Sequence, residues 1–102
     1  MLNLKLDVLG VQRALRAAEL EAMEIAEDDI DARIDFAVDL LRKITPIKTG
    51  YARSRWKSKK YFFLPGGEIS NDAPYINRLN QGSSQQAPAL FIERALLAAR
   101  LL

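Results

Sequence analysis

Histidine and cysteine are both missing from the 102 residues. Without cysteine there is neither a disulfide framework nor a thiolate metal site. Without histidine the commonest general base and the commonest metal ligand are gone. Together these absences remove Ser-His and Cys-His catalysis and nearly all zinc chemistry. Ser83 and Ser84 therefore have no imidazole to activate them. Pro65-Gly66-Gly67 lacks the Lys-Ser/Thr and the following helix of a phosphate loop. No stretch approaches the roughly 20 consecutive apolar residues of a bilayer span. Met1-Leu2-Asn3-Leu4-Lys5 lacks the charged start and continuous apolar run of a signal peptide. The expectation is a single domain over residues 1–102, made in a cytosol and soluble, with no enzymatic site, cofactor or metal.

Charge is present but segregated. Between Glu19 and Asp39 stand nine acids (Glu19, Glu21, Glu24, Glu27, Asp28, Asp29, Asp31, Asp35, Asp39) and one base, Arg33. Between Arg42 and Lys60 stand eight bases and no acid. Such a chain is an electrical dipole despite a net charge of only +2. Two readings fit. Acidic and basic surfaces on one subunit suit head-to-tail assembly, with Glu24, Glu27, Asp28, Asp31 and Asp35 as the acidic interface candidates. Alternatively the two segments neutralise one another inside one fold, since exposed ion pairs carry little energy and leave little trace in sequence.

The hydrophobic pattern divides the chain. Leu2, Leu4, Leu6 and Val8 alternate with polar residues, which predicts a short strand or extended arm ending at Gly10. Val11, Leu15, Ala18, Ala22 and Ile25, then Ile30, Ile34, Ala37, Leu41 and Ile44, recur at helical spacing. The five-residue step between the two sets implies either a bend or a second helix capped by Glu27-Asp28-Asp29. One long helix with an irregularity is the favoured form, about 50 Å long and longer than its own core requires. Thr45-Pro46 stops it. Arg53 to Leu64 is expected as a strand, Pro65-Gly66-Gly67 as a turn and Glu68–Asn71 as the return strand of a hairpin. Tyr75 to Leu79 suits a helical turn, and Pro88 opens a final helix through Leu102. The fold class is α+β: a long N-terminal helix on a small antiparallel sheet of hairpin plus N-terminal strand, with a C-terminal helix.

On a continuous strand Arg53, Arg55, Lys57 and Lys59 share one face over roughly 20 Å. Facing a channel they would attract DNA phosphates without reading sequence. Facing outward they would meet a neighbour's acidic helix, or else form an ordinary solvated face. Asp28, Asp31 and Asp35 share a helix side as metal ligands sometimes do. A solvated helix face explains them better, because no second segment supplies further ligands. Trp56 and Tyr75 are able to stack on bases, although single aromatics beside turns are more often core anchors. The C-terminal Ala-Ala-Arg-Leu-Leu is apolar to its end, which suits docking on the sheet or on a second subunit.

From Thr45 onward a series of short motifs stands in order. These are Thr45-Pro46-Ile47-Lys48-Thr49-Gly50, Ala52-Arg53-Ser54-Arg55-Trp56, Asn71-Asp72-Ala73-Pro74-Tyr75, Gly82-Ser83-Ser84, and Ala87-Pro88-Ala89-Leu90-Phe91 continuing to Ala95-Leu96. In that order, across about half the chain, they resemble the tail-completion (neck, head–tail joining) protein family of long-tailed bacteriophages. Many relatives carry a glutamate shortly before the glycine, where this chain has Leu79-Asn80-Gln81-Gly82. The resemblance implies a virion structural protein, assembled in the host cytoplasm as a homo-oligomeric ring of six at the head-proximal end of the tail. Connector and tail-tube proteins would be its neighbours, and DNA would pass non-specifically through its lumen. Pro46, Thr49, Gly50, Trp56, Asn71, Pro74, Tyr75, Gly82, Pro88 and Phe91 would then be fold-defining residues that fix turns and anchor the last helix. The rival expectations are a small nucleic-acid-binding module using the basic strand and a small dimeric regulatory protein.

Overall fold

The computed structural model describes residues 3–25, 29–46, 50–83 and 89–102. Helix α1 spans Asn3–Ala22 and α2 spans Ile30–Ile44. A helical turn, α3, covers Tyr51–Ser54. Strand β1 (Trp56–Lys60) pairs antiparallel with β2 (Gly67–Asn71), Trp56 opposite Asn71 and Lys60 opposite Gly67. A second short turn, α4, runs Ile76–Arg78 into a wider turn at Leu79–Ser83, and α5 closes the chain at Phe91–Ala98. The architecture is α+β, five helices and a two-stranded sheet among the described residues.

Helix α2 is the centre. Its stripe of Ile34, Ala37, Val38, Leu41 and Ile44 is buried, and α1, α5 and the hairpin pack around it. Alanines at the helix contacts (Ala18 and Ala22 of α1, Ala37 of α2, Ala95 and Ala98 of α5) are at most 6% exposed. Side chains that small let helix axes approach closely. Phe91 fills the space between them at 0% exposure, and burying such a ring contributes about 1.5–3 kcal/mol.

The predicted N-terminal strand is overturned: the chain is helical from Asn3. Leu4, Val8, Val11 and Leu15 are spaced 4-3-4, so two of the four alternating residues also fit the helical series in the sequence. Leucine and lysine are strong helix formers. The single long helix is also corrected. Two helices are present, and the second begins where the acidic cluster caps it, the Asp29 side chain accepting from Ala32 N at 3.0 Å. Helix α2, rather than a long N-terminal helix, carries the sheet.

The strand expected over Arg53–Leu64 is shorter. Gly50, in left-handed geometry at φ 75°, starts α3, and extended structure begins only at Trp56. Alanine, arginine and serine at 52–54 have no β-branch to resist a helical turn. Residues 61–66 form the hairpin loop. Gly67 is required there, since a Cβ would stand 2.3 Å from the Lys59 carbonyl oxygen. The final helix starts at Phe91, three residues later than expected, and ends at Ala98.

Candidate interaction surface

The expected row of four cations does not form. Arg53 lies in α3, and its guanidinium turns back on the C-terminus of α2, Nε donating to Thr45 O at 2.7 Å and Nη2 to Lys43 O at 2.9 Å. That position answers the partial negative charge of a helix end. Burial pushes its pKa down. Arg55 follows α3 and grips both oxygens of Asp72 at 2.5 Å, with its guanidinium over the Tyr51 ring at 5.7 Å. Those hydrogen bonds raise the Arg55 pKa and hold the Asp72 carboxyl below the usual carboxylate range. Both arginines thus act within the fold.

Lys57 and Lys59 remain on the solvent face of β1, both exposed. Cross-strand neighbours Ser70 and Glu68 lie opposite them. The other face of the hairpin carries Trp56, Ile69 and Lys60, and packs on α2.

The acidic candidates divide in the same way. Asp35 pairs with Lys60 Nζ at 2.7 Å, which raises the lysine pKa. Asp31 accepts from Gly66 N at 3.0 Å. These two acids hold the hairpin to α2, so part of the charge separation is neutralised internally. Glu24 is exposed, and Glu27 and Asp28 lie outside the described residues. Among the described residues no cluster of three or more potential ligands could hold a metal ion, and no helix is long and apolar enough to cross a membrane.

Of the motif residues, Trp56 and Asn71 make side-chain hydrogen bonds within the fold. Trp56 is buried and its indole Nε1 donates to Thr45 Oγ1 at 2.7 Å, which in turn donates to Leu41 O at 2.5 Å. Asn71 Nδ2 reaches Ala52 O at 2.8 Å while its Oδ1 accepts from Ala73 N at 2.9 Å. Pro46 is buried, Tyr75 half-buried and Pro74 exposed. Gly82 adopts φ 96°. Thr49 and Pro88 lie outside the described residues.

The loop of the hairpin is the feature the sequence reading missed. Phe62 and Phe63 are each 89% exposed and Leu64 67%, beside a half-exposed Tyr61. The two phenyl rings meet edge to face at 4.7 Å. Exposed apolar side chains grouped in this way are the kind of surface that protein or membrane contacts use. Its signal in the sequence was three apolar residues without alternation directly before Pro65-Gly66-Gly67. Comparison with known proteins finds no matching family model, no matching curated protein and no matching solved structure.

Proposed function

We propose that this chain is a structural subunit of a bacteriophage neck, completing the tail or joining it to the head as one copy of a ring around the DNA channel. The exposed apolar tip of the hairpin, Phe62-Phe63-Leu64, carries the reading. A side chain left in water at that size wants a partner, and a virion part finds its partners in copies of itself and in the connector and tail tube. The ordered motifs from Thr45 to Phe91 support the same assignment by resemblance. Lys57 and Lys59, exposed on the hairpin, suit a lumen or a neighbour's acidic surface.

A free nucleic-acid-binding module draws less support. With Arg53 and Arg55 engaged inside the fold, β1 offers two exposed lysines on one face. Two phosphate contacts correspond to a salt slope of only about −2 in log K against log salt. A gel shift by the lone subunit at low salt separates the readings. The main test is in particles: Phe62→Ser with Phe63→Ser, and separately Lys57→Glu with Lys59→Glu. Loss of head–tail joining or of DNA delivery is expected from the tip variant. Normal particles from both variants, or purified virions that never contain the chain, would exclude the neck assignment.

A further inference from the structure

We infer that the Phe62-Phe63 tip of one copy inserts into the groove between α1 and α2 of a second copy. The inference rests on the self-assembling ring proposed above and names the contact that would close it. The groove is about 290 Å³, at or below the low end of ligand pockets at roughly 300–1,000 Å³, and so suits one or two side chains better than a cofactor. Ala14, Ala17 and Ala18 of α1 and Phe36 and Leu40 of α2 form its apolar walls. Three alanines on one wall leave the width that an aromatic ring would fill.

Charge favours this groove over the one between α1 and α5. Among the described residues its rim carries Glu21 and Asp39 with one cation, Lys43. Asp39 keeps 71% of its side chain exposed, at a loose 3.7 Å from Arg42. Lys57 and Lys59 on the hairpin would meet that acidic excess. The groove of about 480 Å³ between α1 and α5 is flanked, among the described residues, by Arg16 and Arg94 beside Glu19, and that cationic excess would oppose them.

A chain cannot fill its own groove. Gly66 N on Asp31 and Lys60 on Asp35 fix the hairpin along one side of α2. Phe36, Leu40 and Lys43 face roughly a third of the way around that helix. The occupant is therefore a second copy. A contact between two different surfaces repeats from copy to copy, closing as a ring or extending as a filament.

Because the native chain has no cysteine, paired cysteine reporters test this directly. Phe63→Cys in one copy and Ala17→Cys in another are mixed at millimolar concentration, where even a weak contact is populated, and oxidised. A mixed cross-linked dimer is expected. It should exceed that formed with Asn77→Cys, an exposed control on α4, in place of Ala17→Cys. Ala17→Trp, at a surface position of α1, should fill the groove and abolish cross-linking between Phe63→Cys and Ala14→Cys. No mixed product above the control, tip-to-tip product alone, or cross-linking that survives Ala17→Trp would overturn the inference. Cross-linking by a chain that virions lack would instead leave the contact standing and remove the neck assignment.

Discussion

Thr45→Val removes one oxygen from the centre of the molecule, and its consequence can be worked out from three hydrogen bonds. The hydroxyl accepts from the Trp56 indole at 2.7 Å and donates to Leu41 O at 2.5 Å, and Thr45 itself is 0% exposed. Valine matches the shape, and the extended backbone at φ −64°, ψ 132° accepts a β-branched residue. The Leu41 carbonyl keeps its bond from Thr45 N at 3.0 Å. The indole N–H, on a tryptophan only 4% exposed, keeps none among the described residues. Leaving a buried donor unsatisfied costs about 1–3 kcal/mol, which lowers Tm by about 4 °C or more in a domain of this size. Thr45→Ser retains the hydroxyl and loses a methyl, at about 0.8 kcal/mol. Urea denaturation followed by circular dichroism measures both, and repeating Thr45→Val in a Trp56→Phe background supplies the cycle. There the cost should shrink, because no indole remains to be orphaned. Unchanged stability for Thr45→Val, or the same loss in both backgrounds, would refute the argument.

Asp29→Ala removes the N-cap of α2 and should cost about 1 kcal/mol by urea denaturation. Arg53→Ala should destabilise by about 1 kcal/mol or more through the two carbonyls it leaves at the end of α2, whereas Lys57→Ala should stay within about 0.5 kcal/mol. A chain in which both behave alike would mean that the two cations share one environment after all. The depressed pKa of Asp72 stabilises the fold above the unfolded carboxylate value of about 3.9, and that contribution is lost as pH falls through the lower folded value. Asp72→Asn should flatten this part of an acid denaturation profile, and an unchanged profile would show that the Arg55 pair does not contribute.

What could be read in the sequence was the material with one dominant period. Ile34, Ala37, Leu41 and Ile44 fall on the core face of α2 as their 3-4-3 spacing requires, and Pro65-Gly66-Gly67 does sit at the end of the hairpin loop. Residues that fit two periods misled. Leu4 and Val8 serve an alternating strand and a helical stripe alike, and only α1's continuation decides between them. The basic segment failed for another reason. Its four cations are evenly spaced in sequence, but Arg53 and Arg55 are fixed by partners (Lys43, Thr45 and Asp72) that lie up to 17 residues away. Side-chain bonds over such distances have no local signature. The separation of acid from base was legible, although its resolution through Lys60 and Asp35 depended on how the hairpin lies along α2.

Asn80 does a quiet piece of joinery. Its carbonyl oxygen accepts from Leu90 N at 2.6 Å, its side-chain oxygen from Ile92 N at 2.9 Å, and its amide reaches both oxygens of Glu93. One carboxamide thereby clasps the start of the last helix to a point twelve residues upstream, whatever the thread between them is made of. Replacing Asn80 would therefore loosen the first turn of α5 at two points together, the Ile92 amide and the Glu93 carboxylate.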